Sequence, residues 1–246
     1  MNRLTSLAVA TALSVVAHPA VAQLQNLPVY FSPKGGTGLT ISADYGQATS
    51  TKIDGIPLLN KPTALGGRVS LGLPIVTVGI GAAVYDPKVT TIANSAQYMG
   101  SAAFKVFGGP LIPIAVSLQA GVGYLSQGSG VFASKTVNVP LGVGVAVNVP
   151  TPGASIEPWA AARVHINSVT AGTASNTQTG YGLSGGVNLG LPIGVGFHAA
   201  VDWSSFPAKT SGTLNLLKRE TVVLGVGLHY SIKLPGLPGV PLVPGV

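Results

Sequence analysis

Cysteine is absent from the 246 residues, and only 8% of them are charged. Without cysteine there is no disulfide scaffold, no thiolate metal site, no cysteine nucleophile and no lipid-modified N-terminal cysteine. Soluble domains carry about 25% charged residues, so this scarcity argues against an ordinary cytosolic enzyme. Disorder is disfavoured too, because 46% of the residues are hydrophobic and the mean hydropathy is +0.50.

The N-terminus has the pattern of a secretory signal. Arg3 is positive, residues 4–16 form a short apolar run, and residues 20–22 read Ala-Val-Ala, an A-x-A cleavage site. The apolar run is short for a membrane anchor. We therefore predict an exported protein whose signal peptide, residues 1–22, is removed after Ala22.

No later segment has the long apolar run of a transmembrane helix, since stretches such as residues 71–85 are broken by Gly, Pro and Thr. What recurs instead is a period of two. Residues 137–149 have Val or Leu at every odd position, and residues 222–232 alternate apolar residues with Val, Gly, His and Ser. An exported apolar chain of this kind can place its apolar faces against lipid on the outside of a closed β-barrel.

The alternation predicts ten strands, at about residues 38–48, 64–73, 76–86, 98–107, 113–125, 136–149, 155–167, 180–191, 195–204 and 220–233. Short turns alternate with longer polar connections at 49–63, 87–97, 126–135, 168–179 and 205–219. Short turns on one side and long loops on the other are typical of outer-membrane barrels, and an even strand count leaves both termini in the periplasm. The alternatives are an eight-stranded barrel with one hairpin assigned wrongly, and a soluble β-sandwich, which would need charge on one strand face.

Aromatic residues test the strand register independently. Five of them point outward at the long-loop ends of their strands, and they are Tyr45, Tyr98, Tyr124, Tyr181 and Trp203. Such a band is the aromatic girdle expected where a barrel meets the membrane interface. Tyr230 is the clearest member of a thinner girdle at the other end.

The chain resembles the small single-chain outer-membrane β-barrels of Gram-negative bacteria, the superfamily of OmpA-like transmembrane domains. The resemblance is one of pattern and covers about residues 37–233. These proteins often end in an assembly signal, Gly-x-x-aromatic-x-hydrophobic, and Gly227, Tyr230 and Ile232 have that spacing, although this chain continues to Val246. The resemblance implies an all-β, antiparallel, up-and-down transmembrane barrel. Outer-membrane lipid, lipopolysaccharide and the barrel assembly machinery are then its expected partners.

Two segments flank the predicted barrel. Residues 23–36 form a periplasmic leader, and residues 234–246 form a tail with proline at every third position. Polyproline II has three residues per turn, so the tail prolines form one stripe. The alternatives for the tail are a ligand for a periplasmic partner, a plug in the barrel mouth, or a stiff apolar segment against the barrel rim, where the leader also packs.

Most charges within the strands are predicted to face the lumen, and they are Asp44, Arg68, Lys105, Glu157, Arg163 and Asp202. A buried charge in a membrane protein must be paired or solvated. The two interpretations are a structural ion-pair network and a constriction that selects ions. Many inward positions are glycine, which either leaves open space or lets the sheet curl tightly.

Three histidines, His165, His198 and His229, also fall on the inward face, at estimated heights that argue against a shared zinc site. His229-Tyr230-Ser231 resembles the His-x-Ser element of outer-membrane lipid A 3-O-deacylases. That family continues with Asn-Ala, where this chain has Ile232-Lys233, and no acidic residue follows Glu220 to orient the histidine. We therefore predict no catalytic residue, no cofactor, no metal and no enzyme activity.

The net charge of +7 rests on few residues, and the basic ones are scattered, so nucleic-acid binding is not predicted. Lysines in the long loops would suit the phosphates of lipopolysaccharide. The sequence thus predicts an integral outer-membrane protein that is structural or a narrow passive pore. A surface adhesion protein that uses its long loops is the alternative, and a lipid A deacylase-like enzyme is a second one.

Overall fold

A computed structural model describes residues 27–28, 33, 35–108, 112–128, 133–210 and 214–233. It contains ten long strands. They are β1 (Gly38–Ile53), β2 (Thr63–Gly72), β3 (Val76–Asp86), β4 (Ser95–Phe107), β5 (Ile114–Gln127), β6 (Ser134–Val147), β7 (Ala154–Ala171), β8 (Ala174–Gly190), β9 (Val195–Phe206) and β10 (Arg219–Ile232). Two short segments, Ile56–Pro57 and Val149–Thr151, pair with β1 and β7. The predicted signal peptide and the proline-periodic tail lie outside the described residues.

The ten strands form one closed antiparallel barrel. Each strand pairs with the next along the chain, and β10 pairs with β1 from Leu39 opposite Ile232 to Ile53 opposite Arg219. Closure leaves no strand edge unpaired, which is the condition for a sheet surrounded by lipid. The all-β, ten-stranded, up-and-down prediction is confirmed, and the eight-stranded and β-sandwich alternatives are wrong.

No helix among the described residues is both long and apolar enough to cross a membrane.

The strands run further than predicted at the end with the longer connections. The prediction of a long connection at residues 168–179 is wrong, because β7 and β8 are joined there by Gly172 and Thr173 alone. Gly172 has a φ of +60°, a value that glycine adopts in tight hairpin turns without strain. The apolar outward face ends where lipid would end, but the strands continue with polar residues on both faces. Strand boundaries drawn from hydrophobicity therefore stop too early.

Large apolar side chains cover the outside of the barrel. Ile80 is 69% exposed, Leu183 56% and Val226 55%, whereas the alternate residues of each strand face inward. All five predicted girdle residues are exposed on this outer surface, and Tyr98 lies directly opposite Tyr124 in the β4–β5 ladder. The exterior is thus the apolar surface that a bilayer would solvate.

Candidate functional site

A buried ion pair joins the first two strands on the inside of the barrel. The Arg68 guanidinium donates from Nε to Asp44 Oδ2 at 2.7 Å and from Nη2 to Asp44 Oδ1 at 3.2 Å. Asp44 is only 1% exposed. The carboxylate therefore depends on these donors for its charge compensation, because water does not reach it.

Two histidines extend this pair across the seam where β10 meets β1. His198 Nε2 lies 2.7 Å from Asp44 Oδ1, and His198 Nδ1 lies 3.1 Å from His229 Nδ1. The two imidazole rings are stacked, with centroids 5.4 Å apart. If a neutral His198 donates from Nε2 to the carboxylate, it accepts from His229 at Nδ1, which leaves the lone pair of His229 on Nε2. We call Asp44, Arg68, His198 and His229 the seam cluster.

The different heights predicted for the three histidines do not keep His198 and His229 apart. His198 lies opposite Gly227, two residues from His229, so the two side chains are diagonal neighbours on one face. His165 lies apart from them and contacts Asn138 Nδ2 through its Nδ1 at 3.2 Å. Within the described ranges, no group of three or more histidine and acidic side chains is placed to hold a metal ion.

A second buried cluster surrounds Arg163, which is 5% exposed. Its Nη1 donates to Ser184 Oγ at 2.6 Å and lies 3.7 Å from Asp202 Oδ1. Its Nη2 donates to Gln119 Oε1 at 3.2 Å. The guanidinium on β7 thus binds β5, β8 and β9 at once, and its side chain ties separate parts of the barrel wall together.

The remaining two predicted lumen charges lie towards the short-turn end. Glu157 accepts a hydrogen bond from Asn188 Nδ2 at 3.2 Å. Lys105 lies beside Pro33 and Ser117. The structure therefore brings the six residues together as two separate pairs, Asp44 with Arg68 and Arg163 with Asp202, and leaves Glu157 and Lys105 elsewhere on the wall.

Inward glycines make room for the long side chains of these clusters. Each large residue lies opposite a glycine on the next strand, and the pairs are Arg68 with Gly81, Arg163 with Gly142, His198 with Gly227 and His229 with Gly196. A Cβ at Gly81 would lie 2.6 Å from Arg68 Cγ, and one at Gly142 would lie 2.6 Å from Arg163 Cγ. At these positions, glycine does not leave open space, one of the two predicted alternatives, because the neighbouring side chain fills it.

Side chains also fill the interior towards the long-connection end. Tyr85, Leu125 and Phe206 are almost completely buried there, and the Arg219 guanidinium lies 5.1 Å from the Phe206 ring centroid. Leu214, in the connection between β9 and β10, contacts β8 at the same end. Asn176 Nδ2 donates to the Leu214 carbonyl oxygen at 2.7 Å.

A cavity of about 220 Å³ lies on the opposite side of the seam cluster, towards the short turns. It has room for about seven water molecules at liquid density. Six hydroxyl groups line it, together with Arg68, Glu157, Asn188 and both seam histidines. Its lining includes Ser231, whose Oγ lies 3.0 Å from Thr40 Oγ1. The sequence predicted open space in the lumen as one alternative but not its position, because the cavity walls come from strands that are far apart in the sequence.

No protein-family model and no curated protein matches the chain. Among solved structures, the β domain of the Bordetella autotransporter BrkA superposes with a TM-score of 0.54 at 12% identity, over 80% of this chain and 100% of that chain. The outer-membrane protease OmpT from Escherichia coli has a TM-score of 0.47 at 9% identity, over 83% and 99%. The attachment protein Ail of Yersinia pestis has a TM-score of 0.35 at 12% identity, over 79% and 100%. The chain therefore has the fold of bacterial outer-membrane β-barrel proteins.

Proposed function

We propose that this chain is an integral protein of the bacterial outer membrane, exported with cleavage after Ala22, and that its barrel is structural and closed to ions. Support for the location comes from the closed sheet, the apolar exterior and the outward aromatic residues. Lipid, lipopolysaccharide and the barrel assembly machinery are the partners that this location provides. The exposed Lys52, Lys61 and Lys135 suit lipopolysaccharide phosphates.

The burial of the interior charges is the observation that carries the structural role. A selective pore presents its charged rings to permeating ions and water. Here Asp44, Arg163 and Asp202 are each at most 5% exposed. Asp44 is paired with Arg68, and Arg163 with Asp202. This arrangement favours the ion-pair network over the narrow passive pore, the other possibility left open by the sequence.

Single-channel conductance of the refolded mature chain in a planar bilayer tests this proposal. We expect a folded protein that produces no discrete steps, because its lumen is filled by its own side chains. Discrete, ion-selective steps would contradict the closed barrel. Arg68, Lys105 and Arg163 would then be the residues to replace in order to change the selectivity.

A surface adhesion role is the second candidate, and one observation favours it. The hairpin that follows β1 presents Leu59 at 94% exposure and Ile56 at 69%, on the side that would face the cell exterior. Large apolar side chains exposed together on a polar loop are typical of protein interaction sites. Adhesion and a closed structural barrel are compatible roles.

We infer that the protein is not an enzyme, although the seam cluster bears on that question. The sequence lacks an acidic residue after Glu220 to orient His229, but Asp44 on β1 reaches His229 through His198. A deacylase-like reaction would also need Ser231 close to an imidazole and open to lipid. Ser231 Oγ instead lies 3.0 Å from Thr40 Oγ1 on the wall of an interior cavity.

A further inference from the structure

The inner face of β2 to β4 carries an apolar strip. Its buried residues include Ala64, Ala83, Met99 and Ala103, which are small or apolar. The buried inner faces of β6 and β7 carry polar residues such as Asn138, Arg163 and His165, beside a second apolar cluster that includes Ala146 and Trp159. An apolar strip on the inner wall of the barrel is stable only when an apolar group covers it.

The covering group is a residue from the predicted leader. Leu27 is 4% exposed and packs in one cluster with Ala64, Ala83, Met99 and Ala103. Pro28, the next residue, is buried as well. The prediction that the leader packs at the barrel rim is therefore wrong for these two residues. They lie inside the barrel, where Leu27 covers the apolar strip formed by these four residues.

Nearer to β1, Pro33 of the leader contacts the inner wall of the barrel. Pro33 is fully buried, and a Cβ at Gly144 on β6 would lie 2.7 Å from its Cγ. Pro33 and Gly35 border a gap of only about 10 Å³ beside Thr77 and Lys105, which is at the lower limit for a single water molecule. The missing side chain at Gly144 thus leaves the space that Pro33 occupies, as other inward glycines leave space for arginine and histidine. We call such a glycine a seat.

We propose that the lumen is a binding site for an apolar, proline-containing peptide segment, and that Leu27, Pro28 and Pro33 of the chain's own leader occupy it. The alanine strip binds the leucine, and Gly144 binds the second proline. Two prolines limit the conformations of the free segment, which lowers the entropy lost on binding. The site shares no residue with the seam cluster, although Met99 and Gly35 line the same cavity as Arg68. It does not depend on whether the barrel conducts ions. A peptide of the same character, from a partner, is the class of ligand that would compete with the leader.

Cysteine labelling of the full mature chain tests the occupied state, and the absence of native cysteine makes it clean. Leu27→Cys in the folded barrel should react with a bulky, membrane-impermeant maleimide at least about tenfold more slowly than Leu59→Cys, whose position is 94% exposed. Both should react equally in denaturant. Equal rates in the folded barrel would place residue 27 outside the lumen and overturn the proposal.

Peptide binding tests the site itself. A fluorescent synthetic peptide of residues 23–36 should bind, by anisotropy, to a barrel that lacks those residues and not to the intact chain. The same peptide with Leu27→Asp should bind at least about tenfold more weakly. Heat-modifiable migration on a gel checks that the shortened barrel is folded. If the shortened barrel does not fold, the full-length Leu27→Asp variant is used in its place.

Two results would overturn the peptide site. In the first, the peptide does not bind to the folded barrel whose site is empty. In the second, the peptide binds equally to this barrel and to the intact chain, which would mean that it adsorbs to the surface. Neither result depends on conductance. Failure of the peptide site is thus distinguishable from failure of the closed-barrel proposal, which ion-selective steps from the intact chain would contradict.

Discussion

Replacing Asp44 by alanine is expected to lower the free energy of unfolding by about 3–5 kcal/mol. The carboxylate is the shared acceptor for the Arg68 guanidinium and His198 Nε2. Its removal leaves a guanidinium with a side chain only 13% exposed beside an emptied space, and a buried charge without its partner is far more costly than the pair. Denaturant-induced unfolding of the refolded barrel in detergent micelles measures the change.

Asp86→Ala is the matched control for this substitution. Asp86 also pairs with a cation, Lys88 at 2.6 Å, but that pair lies in water, with side-chain exposures of 50% for Lys88 and 28% for Asp86. Exposed ion pairs contribute at most about 1 kcal/mol. A similar effect of the two substitutions would mean that Asp44 is hydrated and would contradict its burial away from water.

Gly81→Ala should destabilise the barrel by about 1–3 kcal/mol although it adds a single methyl group. That methyl would lie 2.6 Å from Arg68 Cγ and 3.0 Å from the carbonyl oxygen of Gly67. The backbone cannot retreat without disturbing the β2–β3 ladder, so the Arg68 side chain must leave the position from which it binds Asp44. The same denaturant titration reports the loss.

Gly100→Ala, on the neighbouring strand, is the control, because no large side chain occupies the space beside Gly100. Its Cβ would meet only Val122 Cγ1, at a comfortable 3.6 Å. Alanine there should be neutral or slightly stabilising, because it restricts the unfolded chain. If Gly81→Ala and Gly100→Ala lowered the free energy of unfolding equally, the barrel would not tolerate a side chain at either glycine. That result would contradict the pairing of inward glycines with large side chains.

The strands could be predicted from the sequence because lipid imposes a strict rule on them. Every second residue must be apolar where the barrel touches lipid, so the alternation in residues 137–149 and 222–232 is visible without any knowledge of partners. The rule lapses where lipid ends. For that reason the hairpin around Gly172 was predicted as a loop, although its residues continue the ladder to Ala171 and Ala174.

The interior could not be predicted in the same way, because its contacts depend on register and closure. Asp44 and His198 are 154 positions apart in the sequence, and they meet only because β10 returns to β1. The positions where glycine makes room for a large side chain could not be predicted either. The role of Gly81 is visible only once Gly81 is known to lie opposite Arg68. Leu27 carries no periodic signal at all, and its burial follows from the alanine strip that three separate strands assemble.

Closure of the barrel between β1 and β10 is the central claim, because it creates both the lumen and the seam cluster. Tyr45 and Val226 lie directly opposite each other across this seam and point outward. With no native cysteine to interfere, the Tyr45→Cys/Val226→Cys double variant should form an intramolecular disulfide in the folded barrel, since directly opposed strand residues meet its distance requirement. Tyr45→Cys/Val122→Cys, whose second site lies on β5, should not. A gel that shows no crosslink in the first pair, or equal crosslinking in both, would contradict the closed barrel.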